Sequence, residues 1–143
     1  RAHNLLIPSK VFTKNDFYFS DIILNDLKNR EVDLIVLAGF LWLVPQNLID
    51  NFPIINIHPA LLPKYGGKGM YGDNVHKAVV ANGEKESGIT IHYVNDKYDD
   101  GQIIFQAKCE VLPTDTADDV AKKVHQLEYR YFPEIIEKVV LSL

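Results

Sequence analysis

Two polar side chains, Asn56 and His58, end an apolar run that begins at Ile54. Residues two apart on a β-strand point to the same face, so this amide and this imidazole can face one cavity together. Pro59 has no backbone N–H, which favours the end of the strand directly after His58. The pattern has two interpretations: a reaction centre at the exit of a strand, or a hydrogen-bonded polar pair at an ordinary strand end.

An acidic turn at residues 96–101 (DKYDDG) could complete such a centre. Imidazole exchanges protons near neutral pH, and a nearby carboxylate favours its charged form and raises its pKa. A side-chain amide can hydrogen-bond a developing oxyanion, which is worth about 3–4 kcal/mol. These groups suit attack of an amine on a carbonyl without a covalent enzyme intermediate, and no serine or cysteine lies in a nucleophile elbow. Taken alone, the turn also fits a solvated hairpin.

Three other features have weaker implications. The glycine-rich segment 64–73 lacks the spacing of a P-loop, so a mobile lid and an ordinary surface loop both remain open. His76 and His92 match no zinc spacing with His58, so we predict no metal site. His125 and Glu128 lie three apart and share a helix face, either as a solvated pair or as binding residues.

The elements that must position these groups follow from periodicity and turn chemistry. We predict strands at 7–12, 34–38, 54–58, 89–94 and 103–111, and helices at 20–30, 45–51 and 74–82. The apolar run 34–38 is typical of a strand covered on both faces. A last helix should start at a Thr114 or Thr116 cap and be kinked or split at Pro133. This order indicates an α/β fold whose sheet is parallel at first and antiparallel at the end.

Ligands of such sheets bind at the carboxyl ends of the strands. Residues 39–44 and 56–59 both follow predicted strand ends, so we expect them to be neighbours at one rim.

Composition narrows the class of protein. The length of 143 residues fits one domain, and a formal charge of -4 does not favour nucleic-acid binding. No apolar run approaches the roughly 20 residues of a membrane span, and no signal peptide is visible. The single cysteine, Cys109, is expected in the core and fits a reducing compartment. We therefore expect a cytoplasmic protein without a membrane or nucleic-acid partner.

Several segments, taken in order, resemble the folate-dependent formyltransferases. They are residues 36–40 (VLAGF), 56–63 (NIHPALLP), 88–94 (GITIHYV), 99–106 (DDGQIIFQ) and 127–129 (LEY). The resemblance covers nearly the whole chain. It implies a single formyltransferase domain over residues 1–143, with a Rossmann-like fold, a mostly parallel sheet, antiparallel C-terminal strands and helices on both faces.

The resemblance also implies an activity: transfer of the formyl group of 10-formyltetrahydrofolate to the amine of glycinamide ribonucleotide, in purine synthesis. Asn56 would hold the formyl oxygen, His58 would donate the proton and stabilise the tetrahedral intermediate, and Asp99 would raise the histidine pKa and order water. His125 and Glu128 would contact the ribonucleotide. The pteridine would lie against two segments, made of Leu41, Trp42, Leu43 and Val44 and of Val94, Asn95, Asp96, Lys97 and Tyr98.

Three features depart from the family pattern. Asp100 stands where a glycine is usual, and the segment 66–75 is longer than in many members. The family begins with a strand and a glycine-rich loop that binds the substrate phosphate, and neither precedes residue 7 here. We therefore expect that an N-terminal segment on the order of 30 or more residues is absent from the sequence, which leaves the activity of this piece open.

Alternatives within and outside the family remain. A formyltetrahydrofolate hydrolase or a methionyl-tRNA formyltransferase would share the Asn, His and Asp set. A non-catalytic folate-binding module would need only the pteridine contacts. The sequence is compatible with a monomer or a homodimer.

Overall fold

A computed structural model describes residues 1–143, and the chain divides into two units, Arg1–Val32 and Asp33–Leu143. The first unit contains a 3₁₀ turn at His3–Leu5 and the helices α1 (Lys14–Tyr18) and α2 (Ile22–Asn29). α1 starts at a capping box in which the Thr13 side chain accepts from the Asp16 N–H and Asp16 accepts from the Thr13 N–H.

The strand predicted at residues 7–12 is wrong, because this segment has no strand in the structure. A strand forms only where a neighbouring strand takes up its backbone hydrogen bonds, and the four-stranded sheet is built entirely from later residues. The helix predicted at 20–30 is confirmed as α2, although its N-cap is Asp21.

The second unit is organised around one sheet with the strand order β1-β2-β3-β4. The strands are β1 (Ile35–Leu37), β2 (Ile54–His58), β3 (Glu86–Tyr93) and β4 (Ile103–Glu110). β1 and β2 are parallel, and both later pairings are antiparallel. The predicted change from parallel to antiparallel pairing is confirmed, but the sheet is not mostly parallel, because only one of its three strand pairings is parallel.

β1 differs from its prediction in exposure. Ile35 and Leu37 are half-buried and Val36 is exposed, whereas Ile54 and Ile55 of β2 are fully enclosed. β1 pairs with β2 alone and forms one edge of the sheet, so it is not the strand covered on both faces that the apolar run predicted. The short α3 (Gln46–Ile49) begins at Pro45, which is its N-cap.

Two helices complete the second unit, α4 (Asp73–Ala81) and α5 (Ala117–Leu141). A capping box between Thr116 and Asp119 starts α5, as predicted for one of the two threonines. The predicted split at Pro133 is wrong: α5 is continuous through it, and Ile135 and Val139 beyond it are buried against the sheet. This packing holds the helix together across the backbone hydrogen bond that the proline cannot make.

The core of the second unit has two clusters. One joins Val79 of α4, Ile89 of β3 and Val120 and Val124 of α5, and half-buried Cys109 packs against it. The other joins Ile55 and Ile91 to the C-terminal half of α5. None of the helices is both long enough and apolar enough to cross a membrane.

Candidate active site

A cavity of about 800 Å³ opens at the carboxyl ends of β1 and β2. This is the rim where the sequence places its candidates. The predicted site residues that line the cavity are Leu41, Trp42, Leu43, Val44, Asn56, His58, Val94, Lys97, Tyr98, Asp99, His125 and Glu128. Asn95 and Asp96 do not line it; the Asn95 side chain instead accepts the Lys97 N–H and shapes the turn.

His58 is buried at the end of β2, and its two ring nitrogens have different partners. Nε2 lies 2.7 Å from the carbonyl oxygen of Tyr65. A carbonyl only accepts, so Nε2 carries a hydrogen and donates it. Nδ1 is therefore the nitrogen that gains and loses a proton, and it lies 3.5 Å from Asp99 Oδ1.

Asn56 is oriented by His92, which faces it across the β2–β3 pairing. His92 Nδ1 lies 2.8 Å from the Tyr93 carbonyl oxygen and must donate to it, which leaves Nε2 of the neutral ring as an acceptor. The Asn56 amide nitrogen lies 3.3 Å from that Nε2. One amide hydrogen of Asn56 is thereby used, and the second remains for another acceptor.

Asp99 joins both histidines to the glycine-rich segment. Its Oδ1 is 3.5 Å from His58 Nδ1 and 3.6 Å from His92 Nε2, while Oδ2 accepts the N–H of Gly67 at 3.0 Å. Burial raises the pKa of this carboxyl, but the charge of His58 and the hydrogen bond from the Gly67 N–H oppose burial, and the pKa lies below its ordinary value. Asp99 is therefore an anion at neutral pH.

The pKa of His58 lies below its ordinary value, because burial disfavours the charged ring more than its neighbours favour it. Asp99 and the Tyr65 carbonyl both raise the pKa, and His92 lowers it. As predicted, Asp99 raises the pKa of His58, but the opposite effect of burial is larger. A lowered pKa makes the imidazolium a stronger acid and a readier proton donor.

The acidic turn is held in place by a close backbone approach. A Cβ atom at Gly101 would lie 1.7 Å from the Tyr93 carbonyl oxygen, so only glycine fits there. Asp99 has a left-handed backbone with φ of 52°, a conformation that Asp tolerates better than most residues. These two positions fold the turn so that its carboxylate faces the histidines.

The segment after His58 is fixed by polar side chains of β3 and β4. The buried Thr90 hydroxyl donates to the Ala60 carbonyl at 2.7 Å and accepts the Leu62 N–H at 3.0 Å. Gln106 donates to the same hydroxyl and to the Leu62 carbonyl. The exit of β2 therefore has a fixed course.

The far wall of the cavity carries a second polar group on α4 and α5. The rings of His76 and His125 meet edge to face at 6.3 Å, and Glu128 lies one turn further along α5. Burial raises the pKa of Glu128, and His125 opposes that effect. Burial, assisted by His125, lowers the pKa of His76. No group of three or more His, Cys, Asp or Glu side chains could hold a metal ion.

Sequence reasoning missed two contacts of the site. The sequence suggests His92 only as a metal ligand or a structural residue, although its alternation with Ile91 and Tyr93 places it on one definite face of a strand. Its position opposite Asn56 depends on strand register, which the chain does not reveal locally. Tyr65 contributes a backbone carbonyl, for which side-chain chemistry gives no signal.

Fold and site together define a mixed α/β protein with an amide, an imidazole and a carboxylate around one cavity at the strand ends. Residues 1–136 match the formyl transferase family. The chain belongs to that family.

Similar proteins carry more specific names. The chain is 43% identical over 137 residues to phosphoribosylglycinamide formyltransferase, chloroplastic, of Arabidopsis thaliana, covering 91% of this chain and 47% of that protein. It is 37% identical over 146 residues to phosphoribosylglycinamide formyltransferase of Bacillus subtilis, covering 98% and 72%. The chain thus spans about half the length of its Arabidopsis relative.

Solved structures agree with the fold. The crystal structure of phosphoribosylglycinamide formyltransferase from Streptococcus pneumoniae superposes with a TM-score of 0.85 at 30% identity, covering 97% of this chain and 78% of that one. The enzyme from Anaplasma phagocytophilum also gives 0.85 at 33% identity, covering 99% and 66%. The predicted Rossmann-like α/β fold is confirmed.

Proposed function

We propose that the protein transfers the formyl group of 10-formyltetrahydrofolate to the amine of glycinamide ribonucleotide. One observation carries the proposal: Asn56, His58 and Asp99 line one cavity, where Asn56 hydrogen-bonds His92 and Asp99 Oδ1 lies within 3.6 Å of both histidine rings. The names of the relatives supply the substrate class.

The chemistry assigns each group a step. The amine nitrogen attacks the formyl carbon, and the formyl oxygen becomes an oxyanion that accepts the free amide hydrogen of Asn56. The attacking nitrogen loses one proton to a water molecule that Asp99 orders, and N10 of the folate gains one proton as its bond to the formyl carbon breaks. His58 Nδ1 supplies the proton to the leaving nitrogen, and Asp99 stabilises the imidazolium that donates it. No covalent bond to the protein forms.

The folate fits the apolar side of the cavity. Residues 41–44 form its rim, where Leu41 is 53% exposed and Val44 is buried. Phe40 and Trp42 stack edge to face at 5.9 Å and stiffen this segment. We place the pteridine between this rim and the turn at 94–98. On the opposite wall, His125 and Glu128 are assigned to the ribonucleotide.

Two further properties belong to the same proposal. We assign the protein to the cytoplasm, as its single cysteine predicts, while the name of the Arabidopsis relative places that protein in the chloroplast. We assign it a monomeric or homodimeric state. Neither property affects the chemistry above.

The test is product identification with the full-length protein and 10-formyltetrahydrofolate. Three acceptors are offered separately: glycinamide ribonucleotide, water alone and methionyl-tRNA. We expect formylglycinamide ribonucleotide and tetrahydrofolate in equal amounts in the first reaction only. Formate release in water would indicate the hydrolase, and formyl-methionyl-tRNA would indicate the tRNA enzyme.

Folate binding without any product would indicate a non-catalytic module. A His58→Ala variant of the same protein serves as the control for adventitious formyl transfer, because it lacks the proposed proton donor. Equal product from this variant and the unmodified protein would contradict the assignment.

A further inference from the structure

Tyr65 has a backbone conformation that its side chain does not favour. Its φ is 57°, in the left-handed region that bulky residues rarely occupy. Such a conformation persists only where the surrounding contacts fix it, and it concentrates at functional sites. Tyr65 is seven residues after His58 and is the second residue of the glycine-rich segment.

The phenol of Tyr65 provides those contacts. Its hydroxyl donates to Glu84 Oε1 at 2.9 Å and accepts the Asn82 side-chain amide at 2.9 Å. Lys64 donates to the same Glu84 oxygen at 3.0 Å. Asn82 is the C-cap of α4, so these hydrogen bonds connect the Tyr65 side chain to the C-terminal end of that helix.

The strained backbone directs the Tyr65 carbonyl at His58 Nε2, 2.7 Å away. We propose that Tyr65 is a positioning residue for formyl transfer: its anchored phenol fixes the carbonyl that holds His58 as the Nε2–H tautomer and leaves Nδ1 to exchange the proton. The tautomer follows from geometry alone, and its consequence for catalysis rests on the proposed function.

The neighbouring residues extend the same contact to Asp99. The Gly67 N–H donates to Asp99 Oδ2, so a single turn contacts both the imidazole and its carboxylate. A Cβ atom at Gly66 would lie 2.6 Å from a Leu62 methyl carbon and 3.2 Å from the Asp99 Cβ. The absence of a side chain at Gly66 lets the turn approach this closely.

The groups that influence His58 set the sign of the expected change. Asp99 and the Tyr65 carbonyl favour its charged form, and His92 opposes it, with His76 as a further neighbour. If the Tyr65 carbonyl is no longer held in place, His58 loses one of the two contacts that favour its charged form. The pKa of His58 should then fall further, and the alkaline limb of the rate profile should move to lower pH.

The test combines Tyr65→Phe with nitrogen NMR of the histidine rings in the full-length protein. Neutral His58 should carry its proton on Nε2 in the unmodified protein and populate both tautomers in the variant. Loss of alignment at a proton donor should lower kcat by about 10- to 100-fold, with a smaller change in the KM for folate. The alkaline limb of the pH–rate profile should move to lower pH in the variant.

Two matched controls separate positioning from general stability. Tyr131→Phe removes the hydroxyl of a tyrosine that packs against the cluster of Val79, Ile89 and Val124, and it should change neither tautomer nor rate profile. Lys64→Met removes the ion pair to Glu84 but keeps the bond from Tyr65 to Glu84, and it should also leave both unchanged.

Several results would overturn the proposal. Neutral His58 with its proton on Nδ1 in the unmodified protein contradicts it directly, whatever the activity. An unchanged tautomer and rate profile in Tyr65→Phe also contradict it. If Tyr65→Phe fails to fold, Glu84→Ala removes the acceptor of the same hydroxyl and must show the tautomer mixture. If the unmodified protein transfers no formyl group, the proposed function fails, while the NMR result still decides the role of Tyr65 in fixing the tautomer.

Discussion

Asp99→Asn removes a charge from the site while preserving its shape. Asparagine tolerates the left-handed backbone of this position, and its side-chain oxygen can still accept the Gly67 N–H. What disappears is the negative charge 3.5 Å from His58 Nδ1. The variant therefore isolates the electrostatic role of Asp99.

The magnitude follows from that distance. Two unit charges at this separation attract by about 5 kcal/mol at an effective dielectric constant near 20. Water that enters the cavity screens part of this attraction, so we expect kcat/KM at neutral pH to fall by about 10- to 1,000-fold, equivalent to roughly 1.4–4 kcal/mol. Because Asp99 favours the charged ring, its loss lowers the pKa of His58 and moves the alkaline limb of the profile to lower pH.

The assay is kcat/KM for formyl transfer between about pH 5 and 9, with a proton NMR titration of His58 alongside. Asp100→Asn is the matched control, since it removes the same charge from the same turn at a side chain that is 57% exposed. The reasoning is refuted if the two variants give the same rate profile, or if the His58 titration does not move in Asp99→Asn.

Two predictions concern stability. Thr90→Val leaves the buried Leu62 N–H and the Ala60 carbonyl without their hydrogen-bond partner. It should lower the free energy of unfolding, measured by urea denaturation, by about 2–4 kcal/mol. The control Thr114→Val, at an exposed position, should change that free energy by less than about 0.5 kcal/mol. Equal midpoints for the two variants would contradict this. Burial lowers the pKa of His76, so the unfolded chain binds the proton more readily and stability should fall as pH drops below about 6.5. His76→Gln should flatten that dependence, and an unchanged slope between about pH 5 and 6.5 would count against it.

Local patterns predicted the parts of the site that depend on local structure. Asn56 and His58 were found because a strand places alternate residues on one face and a proline ends it. The capping box at Thr116 is equally local. The rim at 41–44 followed from one rule on the strand ends of α/β sheets.

The remaining features depend on contacts between distant segments. His92 reaches Asn56 through the register of two antiparallel strands, and Tyr65 reaches His58 through its backbone. The pKa of His58 depends on burial outweighing a charge that was visible in the sequence. Pro133 lies inside an unbroken α5 because packing on the sheet overrides the local preference. None of these contacts has a signature within a few residues of the group it affects.

The most direct measurement is the single-turnover rate of formyl transfer by His58→Ala in the full-length protein, together with its affinity for a folate analogue. If His58 donates the proton to the leaving nitrogen, the rate should fall by about 10²- to 10⁴-fold while folate affinity changes little. His3→Ala, at an exposed histidine of the first unit, should keep the unmodified rate. A His58→Ala rate equal to that of the unmodified protein would contradict the account.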